Sequence, residues 1–378
     1  MAFDARGTPL WALELGPERA ALNGAERADV CVVGLGGSGL SCMRELRRLG
    51  ASVIGLDAGH VGWGAAGRNG GFLLAGLAPF YHDAVEDLGR ARARALYALT
   101  MEELDRIASE TPVGISRHGS LRIAESEEEL ADCEQQLAAL RADGFPVESY
   151  DAEQGRGLLI PGDGTFHPLI RCRALAAQSI DAGATLHERS RVVEIAPGHV
   201  RTEHGAVHCD IVIVAVDGGL ELLLPELAGA VRSTRLQMLA TAPTTEVTFA
   251  HPVYARWGYD YWQQRPDGAI AMGGARDLFE SDEWTTEAVP TDDVQHALER
   301  RLREDLGVHA PVTHRWAAIV GYTENGLPLA GEVRPKVWAA GGYCGTGNVV
   351  GSLLGRGLAR LLVGGDDSLV RPFLHADD

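Results

Sequence analysis

Apolar positions near the N-terminus follow two patterns, one typical of buried strands and one typical of a helix. Short apolar runs at residues 29–33 and 51–56 predict two buried parallel strands. Between them, apolar residues recur at helical spacing across residues 38–49, and Gly50 is placed to end that helix. The pattern therefore predicts a strand–helix–strand unit at the start of an α/β fold.

The rest of the chain alternates between helical and strand patterns. Residues 83–110 predict one or two amphipathic helices and residues 125–144 predict another, with their charges on solvated faces. Residues 259–264 and 269–273 predict the two strands of a hairpin, because a Pro-Asp-Gly turn signal separates them. Near the C-terminus, a buried strand pattern leads through CGTGN into a helix that begins near Asn348.

Composition and charge limit the classes of function. With 378 residues and 46% apolar content, the chain can hold two domains. No uninterrupted apolar run reaches the roughly 18 residues of a membrane span, and the N-terminus lacks the pattern of a signal peptide. The net charge of −18 argues against nucleic acid or an anionic membrane as partner. The six cysteines are scattered without metal-ligand spacing, so we expect reduced thiols, no metal site and a cytoplasmic location. The oligomeric state is left open.

A glycine motif follows the first predicted strand and opens the helix. Gly34, Gly36 and Gly39 form G-x-G-x-x-G, and Asp57 ends the second strand about 20 residues later. In this setting the first glycine makes the turn, the second lets backbone approach a pyrophosphate, and the third allows helix and strand to pack closely. The helix N-terminus attracts phosphate, and the acid accepts hydrogen bonds from a ribose diol. The unit predicts a dinucleotide site but does not distinguish NAD from FAD.

The stretch GWGAAGRNGG, residues 62–71, holds five glycines in ten residues. Ordering such a loop costs much backbone entropy, so its glycines need a specific task. Glycines allow backbone to lie against a flat ring, Asn69 supplies a donor and an acceptor, and Arg68 can balance negative charge. An NAD-binding domain has no general need of such a loop, so the stretch favours FAD.

With these motifs, the chain resembles the D-amino-acid oxidase-like family of FAD enzymes, and within it the branch of γ-glutamylputrescine oxidase and related amine oxidases. The segments that carry the resemblance, in family order, are GAAGRNGG (64–71), GTFHP (164–168), SRVVEIAPGHVRTEHGAVHCDIVIVAVDG (190–218), YDYWQQRPDGAIAMGG (259–274) and residues 315–365. The resemblance implies an α/β fold: a Rossmann-like FAD-binding domain of the glutathione-reductase type and a smaller α+β substrate domain built on an antiparallel sheet. It assigns residues 1–90, 150–225 and 316–378 to the first domain, and residues 91–149 and 226–315 to the second.

Motif and resemblance together name the candidate site residues. Those expected to bind FAD, with the Val193 backbone beside the adenine, are Gly34, Gly36, Gly37, Ser38, Gly39, Asp57, Ala58, Gly64, Ala65, Ala66, Arg68, Asn69, Gly70, Gly71, Val193, Ala215, Gly342, Tyr343, Gly345, Thr346, Gly347 and Asn348. Those expected to line the substrate pocket are Phe72, Tyr259, Tyr261, Trp316 and Tyr343. Catalysis is left to the flavin, and no catalytic base is named.

The chain departs from its relatives at positions that hold the flavin or the substrate in parts of the family. Val320 stands where sarcosine oxidase-like relatives have the cysteine that attaches FAD, which implies non-covalent FAD. Val320 and Val349 also stand where relatives carry the Arg or Lys that binds a substrate carboxylate. Ala271 replaces a lysine that activates oxygen, and the only lysine, Lys336, lies in a predicted turn.

These departures lead to an expected activity and leave alternatives open. The leading expectation is FAD-dependent oxidation of a primary or secondary amine by hydride transfer, giving an imine, then an aldehyde or ketone, with O2 reduced to H2O2. The alternatives are an amine or amino-acid dehydrogenase that passes electrons to a carrier, and a catalytically silent FAD-binding partner protein. The aromatic residues within 254–262 either form cation–π walls for an alkylammonium or pack an antiparallel sheet. Arg256 and Arg265 either bind a remote carboxylate or lie at the surface.

Overall fold

The structure, a computed structural model, describes residues 5–12 and 19–374. Within these residues the helices are α1 (Gly37–Arg48), α2 (Tyr81–Leu88), α3 (Arg90–Glu110), α4 (Glu127–Ala142), α5 (Pro168–Asp181), α6 (Leu220–Leu223), α7 (Glu280–Glu283), α8 (Asp292–Arg300) and α9 (Val350–Ala359). The strands are β1 (Ala5–Arg6), β2 (Gly24–Arg27), β3 (Val30–Val33), β4 (Val53–Leu56), β5 (Phe72–Leu73), β6 (Ile115–Ser116), β7 (Ser120–Ala124), β8 (Glu148–Ala152), β9 (Gly155–Ile160), β10 (Gly164–Phe166), β11 (Thr185–His187), β12 (Val192–Ala196), β13 (His199–Thr202), β14 (Gly205–His208), β15 (Ile211–Val214), β16 (Arg232–Thr241), β17 (Val253–Ala255), β18 (Asp260–Gln264), β19 (Ile270–Gly273), β20 (Val312–Tyr322), β21 (Leu329–Arg334) and β22 (Val337–Gly341).

A six-stranded sheet, in the order β11-β4-β3-β15-β22-β21, carries the candidate dinucleotide motif. Its first five strands are parallel, and β21 pairs antiparallel with β22 at one edge. On β3 the side chains alternate. Val30 and Val32 pack among helices α1, α5 and α9, whereas Cys31 and Val33 pack against the four-stranded sheet β12-β13-β14-β2. Burial on both faces explains the uninterrupted apolar run of this strand.

A nine-stranded sheet, in the order β1-β20-β16-β19-β18-β17-β7-β9-β8, forms the second large layer. Most of its pairs are antiparallel, and within the described residues β1–β20 and β17–β7 are the parallel exceptions. Leu239 and Met272 on this sheet pack against Val294 and Leu298 of α8. A small sheet, β5-β10-β6, begins directly after the glycine-rich stretch at Phe72.

The strand–helix–strand unit, the hairpin and the helices form close to their predicted positions. The pattern at residues 83–110 becomes two helices, α2 and α3, which meet at Gly89, where φ is +78°. The helix expected near Asn348 begins at Val350.

The six cysteines are all buried free thiols. Across residues 5–12 and 19–374, no helix combines the length and apolarity needed to span a bilayer.

Two of the predicted domain boundaries need correction. A boundary at 316 falls inside β20, and one at 150 falls inside β8. Both strands belong to the nine-stranded sheet, where backbone hydrogen bonds join them to segments that were assigned to the other domain. A division that follows the sheets leaves β8, β9 and β20 with the antiparallel layer; the two-domain organisation itself stays a prediction.

Candidate functional site

The turn after β3 depends on glycines at two positions. Gly34 has a φ of +108°, and a Cβ there would lie 2.5 Å from the carbonyl oxygen of Ala215. A Cβ on Gly39 would lie 1.9 Å from the carbonyl oxygen of Gly34. No side chain larger than hydrogen fits either place without moving backbone. The first and third glycines of the motif therefore close the turn and bring α1 against the strand.

A cleft of about 500 Å³ opens at this end of the six-stranded sheet. The N-terminus of α1 lies on its wall, with Gly36 as the N-cap residue and Gly37 and Ser38 in the first turn. No side chain caps this turn, and it contains no acidic residue. The free N–H groups and the positive end of the helix dipole therefore suit an anion in the cleft.

Asp57 lies on the opposite side of the turn, at the end of β4. Its two carboxylate oxygens accept hydrogen bonds from the backbone N–H groups of Leu35 and Gly59, each at 2.8 Å. Burial raises the pKa of this carboxyl, and the two backbone hydrogen bonds oppose that rise. The side chain is thereby fixed with acceptor capacity left toward the cleft.

Arg171 on α5 is a buried cation on the wall of the same cleft. Its side chain is almost inaccessible, at 3% residue exposure, and its Nη2 donates to Ser352 Oγ at 2.5 Å. Its Nε has no hydrogen-bond partner, and no described carboxylate lies within ion-pair distance. Its Nη1 is 3.0 Å from where a Cβ on Gly37 would stand. Burial lowers the pKa of the guanidinium, and the nearby acids Glu103 and Glu110 oppose that shift only in part.

The glycine-rich stretch is ordered from within by Asn69. The Asn69 Nδ2 donates to the carbonyl oxygens of Ala65 and Ala66 at 3.1 and 3.0 Å, and its Oδ1 accepts from the Gly71 N–H at 2.8 Å. At Gly71 φ is +73°, and a Cβ would lie 2.6 Å from the carbonyl oxygen of Phe166. These contacts fix a loop whose composition would otherwise leave it mobile.

Side chains from distant parts of the chain hold the same loop from outside. The indole N–H of Trp11 donates to Asn69 O at 2.6 Å, and that of Trp316 donates to Arg68 O at 2.7 Å. The Nδ2 of Asn348 donates to Asn69 Oδ1 at 3.2 Å. Gln263 donates to the carbonyl oxygens of two loop glycines. The loop is therefore a joint that ties the N-terminal segment, the nine-stranded sheet and the turn before α9 together.

Arg68 serves this joint rather than facing an anion. Its Nε donates to Ala317 O at 2.8 Å and its Nη2 to Gly7 O at 2.5 Å. Burial lowers the pKa of its guanidinium. The sequence prediction gave Arg68 the task of balancing negative charge; in the structure two backbone carbonyls already use its donors.

A second cavity, the chamber, holds about 380 Å³ between the loop and the nine-stranded sheet. Its aromatic wall is built across paired strands: Tyr254 on β17 lies opposite Tyr261 on β18, with the rings stacked at 5.7 Å. Phe72 packs edge-on against both rings. Trp262, the next residue along β18, points to the other face and into the core of that sheet.

The chamber contains no ordinary proton acceptor. None of its described lining residues is Asp, Glu, His or Lys. Burial raises the pKa of Tyr254 and Tyr261, and raises that of Tyr322 to about 12, so all three stay neutral at physiological pH. Burial also raises the pKa of Cys344, which keeps its thiol protonated. His167 lies outside the chamber lining and caps α5 by accepting a hydrogen bond from the Ile170 N–H.

The chamber and the cleft meet along a shared wall. Both are lined by Ala65, Asn69, Val320, Gly345 and Asn348. These residues come from the glycine-rich loop, from β20 and from the turn before α9. A molecule in the cleft can therefore present one face to a second molecule in the chamber.

Most predicted site residues lie on one of the two cavities. The predicted residues on the cleft are Gly34, Gly36, Gly37, Ser38, Asp57, Ala58, Gly64, Ala65, Ala66, Asn69, Ala215, Tyr343, Gly345, Gly347 and Asn348. Those on the chamber but not on the cleft are Arg68, Gly70, Phe72, Tyr259, Tyr261 and Thr346.

Five predicted residues line neither cavity. Gly39 and Gly71 act through backbone packing. Gly342 has a φ of +67°, and a Cβ there would lie 2.7 Å from Cγ2 of Thr323. Trp316 is fully buried behind the loop that it binds. Val193 is 45% exposed, because β12 bulges between Val192 and Glu194; its neighbour Val192 lines the cleft instead.

Three positions need further correction. Tyr343 lies on the cleft rather than on the chamber, and its hydroxyl is 2.8 Å from Ser38 Oγ. Arg256 is paired with Asp260 and Asp277, and Arg265 is paired with Asp267, so neither is free to bind a carboxylate. Sequence reasoning missed Arg171, Tyr322 and Arg276, which carry no motif; for Arg276 the one weak signal was its place two residues after the GG that ends the hairpin.

Comparison with known proteins gives these cavities a context. The sequence model of the DAO family, described as FAD dependent oxidoreductase, matches residues 29–361. The probable oxidoreductase OrdL of Rhizobium meliloti (strain 1021) is 29% identical, over 92% of this chain and 86% of that protein. The gamma-glutamylputrescine oxidoreductase of Escherichia coli (strain K12) is also 29% identical, over 91% of this chain and 85% of that protein. The crystal structure of glycine oxidase from Geobacillus kaustophilus has the same fold, with a TM-score of 0.73 at 23% identity over 90% of this chain and 95% of that one.

Proposed function

The chain belongs to the DAO family of FAD-dependent oxidoreductases, and we propose that it oxidises the C–N bond of a primary or secondary amine held in the chamber. The observation that carries this proposal is the wall shared by the cleft and the chamber. It lets a substrate in an aromatic, water-poor space touch a cofactor in the cleft. The likeness to a gamma-glutamylputrescine oxidoreductase supports an amine as substrate.

The cleft fits FAD by its own chemistry. The uncapped N-terminus of α1 and the buried, unpaired Arg171 offer donors and positive charge to a pyrophosphate. Asp57 would accept hydrogen bonds from a ribose, and the loop and residues 345–348 would lie along the isoalloxazine. Val320, on the shared wall, offers no sulfur for attachment, and the Cys344 thiol stays protonated, so we propose that FAD is bound without a covalent link.

Bound FAD supplies the two-electron acceptor: a hydride leaves the carbon beside nitrogen, the resulting imine takes up water to give an aldehyde or ketone, and O2 is reduced to H2O2 when the flavin is reoxidised. The chain's own part is to bind and orient the amine and to exclude water. The aromatic wall of Phe72, Tyr254 and Tyr261 does both. Because the chamber's described lining holds no base, the amine has to be neutral when it reacts.

A dehydrogenase of the same fold is the second candidate, and one observation favours it. Ala271, where some relatives carry an oxygen-activating lysine, is fully buried in the core beside Trp316. Lys336 is exposed in the turn between β21 and β22. No lysine therefore lines the chamber in the described part of the chain. A carrier would then take the electrons in place of O2.

The test is anaerobic reduction of the bound flavin, followed through its visible absorbance. Amines of several classes are added without air, and bleaching identifies a substrate. Admission of air then separates the two candidates: rapid return of colour with H2O2 supports an oxidase, and slow return supports a dehydrogenase. Full flavin occupancy without bleaching by any amine or amino acid would contradict both and favour a catalytically silent FAD-binding protein.

A further inference from the structure

We propose that the substrate is an amine that carries a carboxylate, and that Arg276 is the residue that binds this carboxylate in the chamber. The inference rests on the proposed function, since it names the substrate class for that site. It adds a carboxylate to the amine that the sequence predicts, although Val320 and Val349 stand where some relatives bind one.

The charges around the chamber give the first argument. The chain has a net charge of −18, yet the described lining of the chamber has three arginines and no acidic residue. Arg68 is held against backbone by two hydrogen bonds, to the carbonyl oxygens of Ala317 and Gly7. Arg122 lies over the rings of Phe80 and Tyr254, and its buried Nε has no partner. A chamber of this kind attracts an anion and disfavours a substrate whose only charge is positive.

The second argument is the state of Arg276 itself. Its guanidinium carbon lies 4.8 Å from the ring centre of Tyr322, 5.5 Å from that of Tyr259 and 5.7 Å from that of Trp284. Within the described residues, no hydrogen bond or ion pair to its donors accompanies these ring contacts. Aromatic rings hold the cation from its faces and leave its N–H edge unused. A planar guanidinium edge binds a carboxylate through two parallel hydrogen bonds.

The backbone before Arg276 is fixed, which gives the side chain a defined starting point. Ala275 has a φ of +59°, and its N–H donates to Asp260 Oδ1 at 3.0 Å. Asp260 in turn pairs with Arg256 and Arg301. Other arginines of this region therefore satisfy the local carboxylates, and Arg276 is left without one.

The position of Arg276 is also close to the shared wall. Tyr322, which touches its guanidinium, has its hydroxyl 3.8 Å from where a Cβ on Gly345 would stand, and Gly345 lines both cavities. One ring therefore separates the cation from the cleft. Val320 and Val349, the positions that bind a carboxylate in some relatives, lie on the chamber wall and carry no charge. Arg276, which follows the end of β19, supplies a positive charge to the same chamber.

The first arm of the test measures carboxylate binding without turnover. Benzoate and acetate are titrated into the FAD-loaded protein, and binding is read from the change in the flavin's visible spectrum. We expect saturable binding by the wild type and a dissociation constant about 10- to 100-fold higher for Arg276→Gln, the range for losing a charge-assisted hydrogen-bonded pair. Arg276→Lys, which keeps the charge and loses the fork, should fall between them.

The matched control is Arg232→Gln. Arg232 is exposed and stacks on the same Trp284, at 4.0 Å, but does not line the chamber. It should bind carboxylates as the wild type does. If no carboxylate perturbs the spectrum of the wild type, or if Arg276→Gln binds as tightly as Arg232→Gln, the inference is overturned.

The second arm compares substrates that differ by one carboxylate, such as 4-aminobutyrate with butylamine and glycine with methylamine. Arg276→Gln should raise KM for the acids and leave the plain amines unchanged. Faster flavin reduction by glycine would place the carboxylate next to the amine, and faster reduction by 4-aminobutyrate would place it farther away. Reduction by plain amines alone would uphold the proposed function and overturn this inference. Reduction by no compound would overturn the proposed function, while the carboxylate titration would still decide the role of Arg276.

Discussion

Replacement of Arg171 by Met removes a buried cation whose partner in the protein is a single serine hydroxyl. The change keeps an unbranched apolar stem on α5, and it removes the guanidinium and its charge beside the N-terminus of α1. If Arg171 is held there for a pyrophosphate, the loss should appear in the binding of FAD and not in the folding of the apoprotein.

The magnitude follows from the contacts that Arg171 has and lacks. Its unpartnered Nε and the absence of any described carboxylate within ion-pair distance leave its donors for a phosphate. A hydrogen bond to a charged group contributes about 1.5–3 kcal/mol. Its loss corresponds to a dissociation constant for FAD roughly 10- to 150-fold higher. The apoprotein should lose little, since the wild type gains no ion pair from this charge and pays for its burial.

The assay is titration of apoprotein with FAD, read by the quenching of flavin fluorescence, with urea unfolding of the apo forms alongside. Arg173→Met is the control, because Arg173 lies on the same helix and does not line the cleft. Weaker FAD binding by the first variant alone, with apo stabilities within about 1 kcal/mol, is the expected result. Equal FAD affinity for Arg171→Met and Arg173→Met would refute the reasoning.

The other predictions concern the loop, a buried acid and the mode of FAD binding. Gly71→Ala should lower the free energy of unfolding by about 1–3 kcal/mol and reduce FAD occupancy, because φ is +73° and a carbonyl lies 2.6 Å from the new Cβ; urea unfolding that matches the wild type would contradict this. Burial raises the pKa of Asp163 from 3.8 to about 6. Protonated Asp163 therefore contributes its full share to the free energy of unfolding below about pH 4, and that share is lost as pH rises through about 6. The amide of Asp163→Asn can keep the contacts with the Ala75 N–H and the Ser120 hydroxyl. The free energy of unfolding of this variant, measured relative to that of the wild type, should therefore rise by up to about 3 kcal/mol between pH 4 and pH 8. A difference between the two proteins that does not change with pH would contradict this prediction. Acid precipitation should release all FAD to the supernatant, and a yellow pellet that turns colourless in Cys344→Ser would show a covalent link.

The parts of the fold that rest on local signals could be predicted, and so could much of the cofactor wall. Gly34, Gly36 and Asp57 stand in a motif whose spacing matches a strand, a turn and a helix, so their neighbours follow from the chain order. The loop with Arg68 and Asn69 was found by its composition. The structure places it on the walls of the cleft and the chamber, and the sequence did not indicate the partners of its polar side chains.

Contacts between segments far apart in sequence set the rest. Arg276 is left without a carboxylate because Asp277 pairs with Arg256 and Asp260 pairs with both Arg256 and Arg301, which only the folded state shows. Arg171 stands in no motif, and only the packing of α5 against α1 and α9 buries it on the cleft. The predicted boundaries at 150 and 316 fall inside strands for a similar reason, since strand pairing over long separations decides sheet membership.

The clamped glycine-rich loop also bears on the order of folding. Its external hydrogen bonds join residues 58, 193, 248 and 279 positions apart along the chain. During synthesis the loop emerges early, but Asn348 follows only after both large sheets have been made. Contacts of such long separation form late and slowly. We therefore expect flavin binding to report a late stage of folding, and a chain truncated before residue 348 to bind FAD more weakly than the full chain.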